Sequence, residues 1–291
     1  MALRSVQQVI PSVETLEGGG FLVHRSVGSP MLDHFDPFLL LDEMGPSDLA
    51  PGEAKGAPDH PHRGFETVTY MLSGKLEHKD SRGNRGQIGP GDVQWMTAGS
   101  GVVHSEMPEA DFLASGGRMH GFQLWVNLPA RDKMMAPRYQ EVPARRIPER
   151  RSEDGRVTVR IIVGESLGAG AVIDTRTPII YLDMELQPGA RFVQPVPADY
   201  NAFAYVVEGA GFFGRKERAA EEKEAVLFAN DGEEIAISAL PGAPLRVLLI
   251  AGVPLREPIA RYGPFVMNTR AQIIEAFEDF HSGRLGEIAA S

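Results

Sequence analysis

The sequence predicts an all-β protein in which two antiparallel barrels follow one another along the chain and a helix ends it. Glycine and proline, 32 and 22 of the 291 residues, are spread over the whole length. Short apolar segments lie between them, and a helical pattern occurs only near the end of the chain. Short strands separated by frequent turn signals are typical of β-sandwiches and β-barrels.

Three apolar segments in the first half are predicted strands, at 38–41, 67–72 and 122–126. Turn-forming residues occur between them, as SRGN at 81–84 and as GPGD at 89–92. Gly, Pro, Asn and Asp adopt or stabilise the backbone angles of tight turns. The pattern therefore favours an antiparallel β domain in this half of the chain.

A polar, proline-containing stretch at about 128–155 separates these strands from a second set. It holds the densest basic residues, at 145–146 and 150–151, and we interpret it as a solvated connection between two β domains. The strand pattern then resumes at 157–163, 179–186, 203–209 and 245–252.

The two sets of strands resemble each other in one short segment. Residues 70–76 read YMLSGKL and residues 205–211 read YVVEGAG, so that each is a strand entering a glycine turn. Internal repetition is the mark of duplicated units. We predict a metal-binding barrel over 1–140, a barrel without metal ligands over 141–265, and a helical tail over 266–291.

The tail has the pattern of an amphipathic helix over 269–282. Asn268 is placed to cap its first turn, and Gly283 is a suitable stop. Such a helix covers a core surface in most proteins, and recruitment of a partner is the alternative. The predicted apolar stripe consists of Ile273, Ile274, Phe277 and Phe280.

Composition narrows the class of protein. The formal net charge of −10 argues against a broad nucleic-acid surface. There is no cysteine, which removes disulfides, thiolate ligands and a cysteine nucleophile. We expect no transmembrane helix and no signal peptide, so the predicted location is the cytoplasm, without membrane association. The sequence contains no glycine-rich phosphate loop in a strand–helix context and no H-E-x-x-H motif.

Two short histidine-containing motifs carry most of the functional information. The first is His60-Pro61-His62, and the second is His104-Ser105-Glu106. In an extended strand, side chains at i and i+2 point to the same face. If both strands look into one barrel, three imidazoles and one carboxylate converge, and a divalent cation is the partner that offsets their burial.

A site of three nitrogens and one oxygen leaves positions open on a metal that prefers five or six ligands. This favours Fe(II), with Mn, Ni, Cu or Zn as alternatives, and fits a closed structural zinc site less well. A single H-x-H motif arises by chance in many proteins, and the second motif is what gives weight to the first. Glu66 stays open as a ligand or as an acceptor that orients an imidazole, because a regular strand would put it on the face of His62.

The remaining histidines are weaker candidates. Seven of the eight lie at or before His120, which is interpreted as a pocket wall or a hydrogen-bonded core residue. His24, His34 and His78 are interpreted as surface or structural residues. The predicted second barrel contains no histidine, so only the first can hold an imidazole-rich site.

Four segments resemble the pirin family. They are DHPHRGFETV at 59–68, the segment at 90–106 that ends in HSE, DPFLLLD at 36–42, and GFQLWVNLP at 121–129. The resemblance implies a bicupin, with two cupin-type double-stranded β-helix barrels and a metal in the N-terminal one. Carried over to this chain, the implied ligands are His60, His62, His104 and Glu106.

The resemblance implies two functions. The first is a quercetin 2,3-dioxygenase type of ring opening, in which a metal-bound flavonol reacts with O₂ and releases CO and a depside. Glu106 or Glu66 would then accept the proton of the 3-hydroxyl group. The second is an iron-dependent redox switch or co-regulator that binds a transcription factor or a metabolic enzyme. The acidic charge suits a protein partner better than direct contact with DNA.

Overall fold

The computed structural model describes residues 2–289 of the chain. Within that part β-strands dominate, and the helical elements are two α-helices and one short 3-10 turn. The elements of the first half are β1 (Val6–Pro11), β2 (Val13–Glu17), β3 (Phe21–Arg25), β4 (Phe38–Leu49), β5 (Ala57–His62), β6 (Phe65–Ser73), β7 (Leu76–Asp80), β8 (Arg85–Ile88), β9 (Val93–Thr97), β10 (Val102–Pro108), α1 (Ala110–Ser115), β11 (Gly117–Asn127) and β12 (Arg138–Val142). Those of the second half are the 3-10 turn (Ala144–Arg146), β13 (Glu149–Arg151), β14 (Val157–Val163), β15 (Glu165–Ser166), β16 (Ala169–Gly170), β17 (Ile179–Leu186), β18 (Arg191–Pro195), β19 (Asn201–Glu208), β20 (Ala210–Phe213), β21 (Arg218–Glu221), β22 (Glu224–Phe228), β23 (Glu234–Ala239), β24 (Leu245–Gly252), β25 (Ala260–Tyr262), β26 (Phe265–Met267) and α2 (Arg270–His281).

The chain forms two compact units, each assembled from separated segments. The first unit consists of residues 14–25, 38–144 and 256–289, and the second of residues 2–13, 26–37 and 145–255. Strand β1 therefore packs with the second set of strands, and the segment after residue 255 packs with the first set. As limits of independently folding domains, the divisions at 140 and 265 stay a prediction.

The first unit contains the two-stranded sheet β25-β26 and two main sheets. The larger has the strand order β12-β9-β6-β11-β4-β3-β2, and the smaller has the order β5-β10-β7-β8. Side chains alternate between the two faces of a strand. In β11, Phe122, Leu124 and Val126 are fully buried in the core, while Gln123 and Trp125 point to the opposite face. This alternation leaves one face of the sheet free to line a site.

The second unit repeats this topology strand for strand. Its sheets have the orders β1-β22-β19-β24-β17-β14-β13 and β18-β23-β20-β21. Strands β6 and β19 are equivalent, each ends at a glycine with a positive φ (Gly74 and Gly209), and each pairs with its neighbour through a register shift near that end. The predicted pair of duplicated barrels is confirmed.

The interior of the second unit is apolar where the first carries its histidines. Strands β18 and β23 are the counterparts of β5 and β10, and they contribute Phe192, Ile235 and Ile237 to a continuous hydrophobic core. Among the described residues, the one group of three or more His, Cys, Asp or Glu side chains close enough to share a metal lies in the first unit.

The polar stretch at 128–155 is not only a connection. It contains β12, which pairs with β9, and β13, which pairs with β14. The arginines at 150–151 are therefore exposed residues of an edge strand and not of a loop.

The terminal helix α2 packs on the first unit, as the interpretation of a core-covering helix expects. Its N-cap is Thr269, which forms a capping box with Gln272, so the predicted cap Asn268 is wrong by one residue. Ile274 does not belong to the apolar stripe, because it is 52% exposed. The buried face is formed by Ile273 and Ala276, with Phe277 and Phe280 beside them. No described helix is long and apolar enough to cross a membrane.

Candidate metal centre

Antiparallel pairing of β5 with β10 brings the two histidine motifs together. His104 lies directly opposite His60, and Val102 lies opposite His62. Directly opposite residues in an antiparallel pair share a face of the sheet. A bulge between His104 and Glu106 shifts the register, so Glu106 pairs with Ala57. The bulge bends β10 between His104 and Glu106 and so changes the direction of the side chains that follow it.

Three imidazoles meet at this point. The ring centroid of His60 lies 4.7 Å from that of His62 and 4.4 Å from that of His104, and the His62 and His104 centroids are 4.9 Å apart. One nitrogen from each ring lies within 4.8 Å of the other two. The Nε2 atoms of His60 and His62 are 3.0 Å apart. Two ligands at right angles on a metal with bonds of about 2.1 Å are also separated by about 3.0 Å.

The outer nitrogens of two rings are held by backbone carbonyls. Nδ1 of His60 lies 2.7 Å from the carbonyl oxygen of Pro58, and Nδ1 of His62 lies 3.4 Å from that of Pro264. A carbonyl oxygen only accepts, so Nδ1 donates in each case and, when both rings are neutral, the Nε2 atoms carry lone pairs. Two lone pairs 3.0 Å apart repel unless a proton or a metal ion lies between them. The donor set therefore fits a metal ion, with outer contacts of the kind that fix the tautomer of a metal ligand.

Burial keeps the rings in the form that a metal needs. The pKa values of His62 and His104 lie well below the ordinary value of 6.5, first because burial disfavours the imidazolium and second because His60 and other histidines are near. Neither nitrogen of His104 has a hydrogen-bond partner among the described residues, although the side chain is buried. Such a group is costly in a protein interior, and coordination of a cation removes the cost.

Glu106 lies near the histidines but outside the group whose ligand atoms fall within 4.8 Å of one another. The residue is buried, and each of its oxygens accepts one hydrogen bond. Thr69 Oγ1 donates to Oε1 at 2.7 Å, and Gln123 Nε2 donates to Oε2 at 2.8 Å. The role of Glu106 as a fourth ligand stays a prediction.

Glu66 is placed differently from the expectation of a regular strand. Strand β5 ends at His62, Gly64 turns the chain with a φ of +89°, and Glu66 belongs to β6 in the other sheet. The same-face argument that linked it to His62 is therefore wrong. Glu66 is fully buried, and its Oε1 accepts a hydrogen bond from Thr97 Oγ1 at 2.5 Å.

Other histidines have ordinary partners, as interpreted from the sequence. His120 Nε2 lies 2.8 Å from Glu43 Oε1, His78 Nε2 lies 2.5 Å from Glu141 Oε1, and His34 pairs with Asp33. His120 is thus hydrogen-bonded and does not line the cavity described next.

A cavity of about 730 Å³ opens on the histidines within the first unit. His60, His62 and Glu106 lie in its wall. Trp125, which the sequence pattern does not distinguish from a core residue, also lines it, with its ring 5.2 Å from that of His62 and 5.0 Å from the guanidinium of Arg261. The other walls are mainly apolar and include Leu40, Met44, Leu76 and Met119.

A sequence model described as pirin matches residues 20–126, and a model described as the pirin C-terminal cupin domain matches residues 181–286. The chain belongs to the pirin family. The matched ranges confirm two cupin domains that follow one another along the chain, as the resemblance implies. Both histidine motifs, at 60–62 and at 104–106, fall within the first range.

Members of the family are similar over nearly the whole chain. A pirin-like protein of Solanum lycopersicum is 48% identical over 93% of this chain and 89% of the relative. Pirin of Homo sapiens is 43% identical over 97% of this chain and 94% of the relative. A crystal structure of quercetin 2,3-dioxygenase from Acinetobacter baumannii has a TM-score of 0.92 and 37% identity, covering 99% of this chain and 100% of that one.

Proposed function

We propose that this protein is a metal-dependent dioxygenase that opens flavonols by reaction with O₂. The observation that carries the proposal is the cavity, since about 730 Å³ of mostly apolar space borders two of the clustered histidines. This is the size of a pocket that takes a drug-sized aromatic molecule. The likeness to a structure described as quercetin 2,3-dioxygenase supports the same class of substrate.

The metal would be held by His60, His62 and His104, with Glu106 as the fourth ligand. When bound, it supplies a Lewis acid with open positions for a chelating substrate and for O₂ chemistry. Imidazoles with a carboxylate suit a first-row metal that takes five or six ligands, so Fe(II) is our first choice, with Mn, Ni, Cu or Zn as alternatives.

The side chains around the metal would bind and orient the substrate. Trp125, Leu40 and Met44 give a planar aromatic molecule an apolar surface to pack against, and this packing excludes water from the reacting atoms. The position of Glu106 at the cavity wall supports it as the acceptor of the proton of the 3-hydroxyl group. Glu66 is fully buried and does not line the cavity, so it is the weaker of the two candidates.

A redox switch that binds a protein partner is the alternative. Such a switch has no need of a large cavity beside the metal, and the cavity therefore favours the enzyme. The protein partner and the cytoplasmic location stay predictions.

The test is turnover of quercetin by the metal-loaded protein. The protein is stripped of metal, reloaded with Fe(II) without oxygen, and mixed with quercetin and O₂ while flavonol absorbance, oxygen consumption and CO are followed. We expect turnover that His62→Ala abolishes and His34→Ala leaves intact, because His34 lies at the surface beside Asp33. Turnover no faster than that of free Fe(II) would exclude the enzyme.

A further inference from the structure

A row of polar side chains crosses the larger sheet of the first unit at a single level. The residues are direct cross-strand partners, so their side chains share one face. From β3 to β12 the row consists of Arg25, Asp42, Gln123, Thr69, Gln94 and Glu141. Three of its members are almost completely buried, with exposures of 4% for Asp42, 1% for Thr69 and 2% for Gln94.

The second unit has the same row with apolar residues. Because β6 corresponds to β19 and β11 to β24, with register shifts at the same place, each position has one counterpart. Thr69 corresponds to Ala204, and Gln123 corresponds to Leu249. The full apolar row, in the same order, is Ile161, Leu182, Leu249, Ala204, Val226 and Val9.

This comparison separates the requirements of the fold from those of the site. The second unit forms the same sheet with an apolar row, so the fold does not need polar residues there. Burying polar groups costs free energy even when they are paired, and an apolar replacement is often neutral or stabilising. The polar row therefore serves something that the first unit has and the second lacks.

The centre of the row contacts Glu106. Thr69 donates to one carboxylate oxygen at 2.7 Å and Gln123 to the other at 2.8 Å, across the gap between the larger and the smaller sheet. With both oxygens held, rotation of the carboxylate about its last bond is restricted. Each oxygen keeps a lone pair that its donor does not use.

We propose that Thr69 and Gln123 are positioning residues for Glu106 and that they fix the direction in which its carboxylate faces the metal. The inference rests on the proposed metal site and on Glu106 as a ligand. Partners of this kind orient metal ligands in other proteins, where their loss weakens metal affinity about 10- to 100-fold. Ala204 and Leu249 orient no metal ligand, because the second unit presents no imidazoles to a metal.

The experiment measures the dissociation constant of Co²⁺ for the full chain and does not depend on an activity assay. Metal-free protein is titrated with Co²⁺, and the visible absorption spectrum, which reports the ligands, is recorded at each step. Thr69→Val removes the hydroxyl at constant shape, and Gln123→Leu installs the residue found in the second unit. We expect each to raise the dissociation constant about 10- to 100-fold and to change the spectrum.

Two controls separate positioning from packing. Thr67→Val is matched to Thr69→Val, since both threonines lie buried on the same face of β6, but Thr67 is level with Trp125 and Met96 and not with Gln123. Thr67→Val and Thr69→Ser, which keeps the hydroxyl, should both retain the wild-type dissociation constant. Because Gln123 lies at the cavity wall, Gln123→Leu remains a test if Thr69→Val does not fold.

The outcomes distinguish this inference from the proposed function. If Glu106→Ala weakens Co²⁺ binding and neither Thr69→Val nor Gln123→Leu does, the positioning role is wrong and the metal site stands. If Glu106→Ala leaves binding and spectrum unchanged, Glu106 is not a ligand and the positioning role is overturned, while turnover of quercetin still decides the proposed function. An equal effect of Thr67→Val and Thr69→Val would also overturn the positioning role, because general packing would then explain the loss.

Discussion

The metal-free protein should lose stability in mild acid because of its buried histidines. The folded chain holds His104 with a pKa well below 6.5, whereas the unfolded chain binds a proton at the ordinary value of 6.5. Below pH 6.5 the unfolded state therefore takes up a proton that the folded state refuses. The stability is fully present above pH 6.5 and is lost as the pH falls towards the folded pKa.

The size of the effect follows from the linkage relation. One such histidine lowers the free energy of unfolding by at most RT ln(1 + 10^(6.5−pH)), which is about 0.2 kcal/mol at pH 7 and about 1.4 kcal/mol at pH 5.5. Removing the titrating ring with His104→Asn removes this dependence. The unfolding free energy of wild type minus that of the variant should thus be smaller at pH 5.5 than at pH 7, by up to about 1.2 kcal/mol.

The assay is urea unfolding of chelator-treated protein at several pH values from 7 to 5.5. The quantity compared is the difference between wild type and His104→Asn, because titrating groups outside the histidine cluster cancel in it. A constant difference for His104→Asn would show that the ring takes a proton as readily in the fold as outside it, and the reasoning would be refuted.

Three further predictions concern the surroundings of the site. Arg63→Ala should lower the free energy of unfolding by about 3 kcal/mol in urea titrations, because its buried guanidinium pairs with Asp279 at 2.6 Å. The exposed Arg284 pairs with the same carboxylate, and Arg284→Ala should lower the free energy of unfolding by less than about 1 kcal/mol. Gly64→Ala should reduce both the thermal stability and the metal content, because φ is +89° at this position and a Cβ would collide with a carbonyl oxygen of β26. Elemental analysis measures the metal content, and an unchanged content in a folded variant would contradict the prediction. Trp125→Ala should raise the KM for quercetin more than it lowers kcat, because the ring is a wall of the cavity; an unchanged KM would place the substrate elsewhere.

The sequence predicts those features that depend on near neighbours. The approach of His60 to His62 was accessible because the two-residue repeat of a strand sets which side chains share a face. The bulge between His104 and Glu106 departs from that repeat, and Glu106 as a ligand stays a prediction. Turn residues and the absence of histidine from the predicted second barrel were likewise local signals. The fold class and the duplication followed from strand spacing, from one repeated segment and from the family resemblance.

Features that depend on pairing between distant segments were not accessible. The position of Glu66 was misjudged because the turn at Gly64 interrupts the strand that the spacing assumed. The assignment of β1 to the second unit depends on its pairing with β22, more than two hundred residues away. Thr69 and Gln123 are each one of several polar residues in their strands, and only the register shows that they meet. Comparing the two halves position by position was the signal that could have found them.

The segment after residue 255 has a consequence for biosynthesis. Pro264, whose carbonyl oxygen contacts Nδ1 of His62, and Asp279, which pairs with Arg63, lie in that segment, yet they complete the unit that begins near residue 14. A ribosome that has finished the first two hundred residues has made His60, His62 and His104 but neither Pro264 nor Asp279. The pocket around these histidines can therefore be completed only after the segment beyond residue 255 has been synthesised.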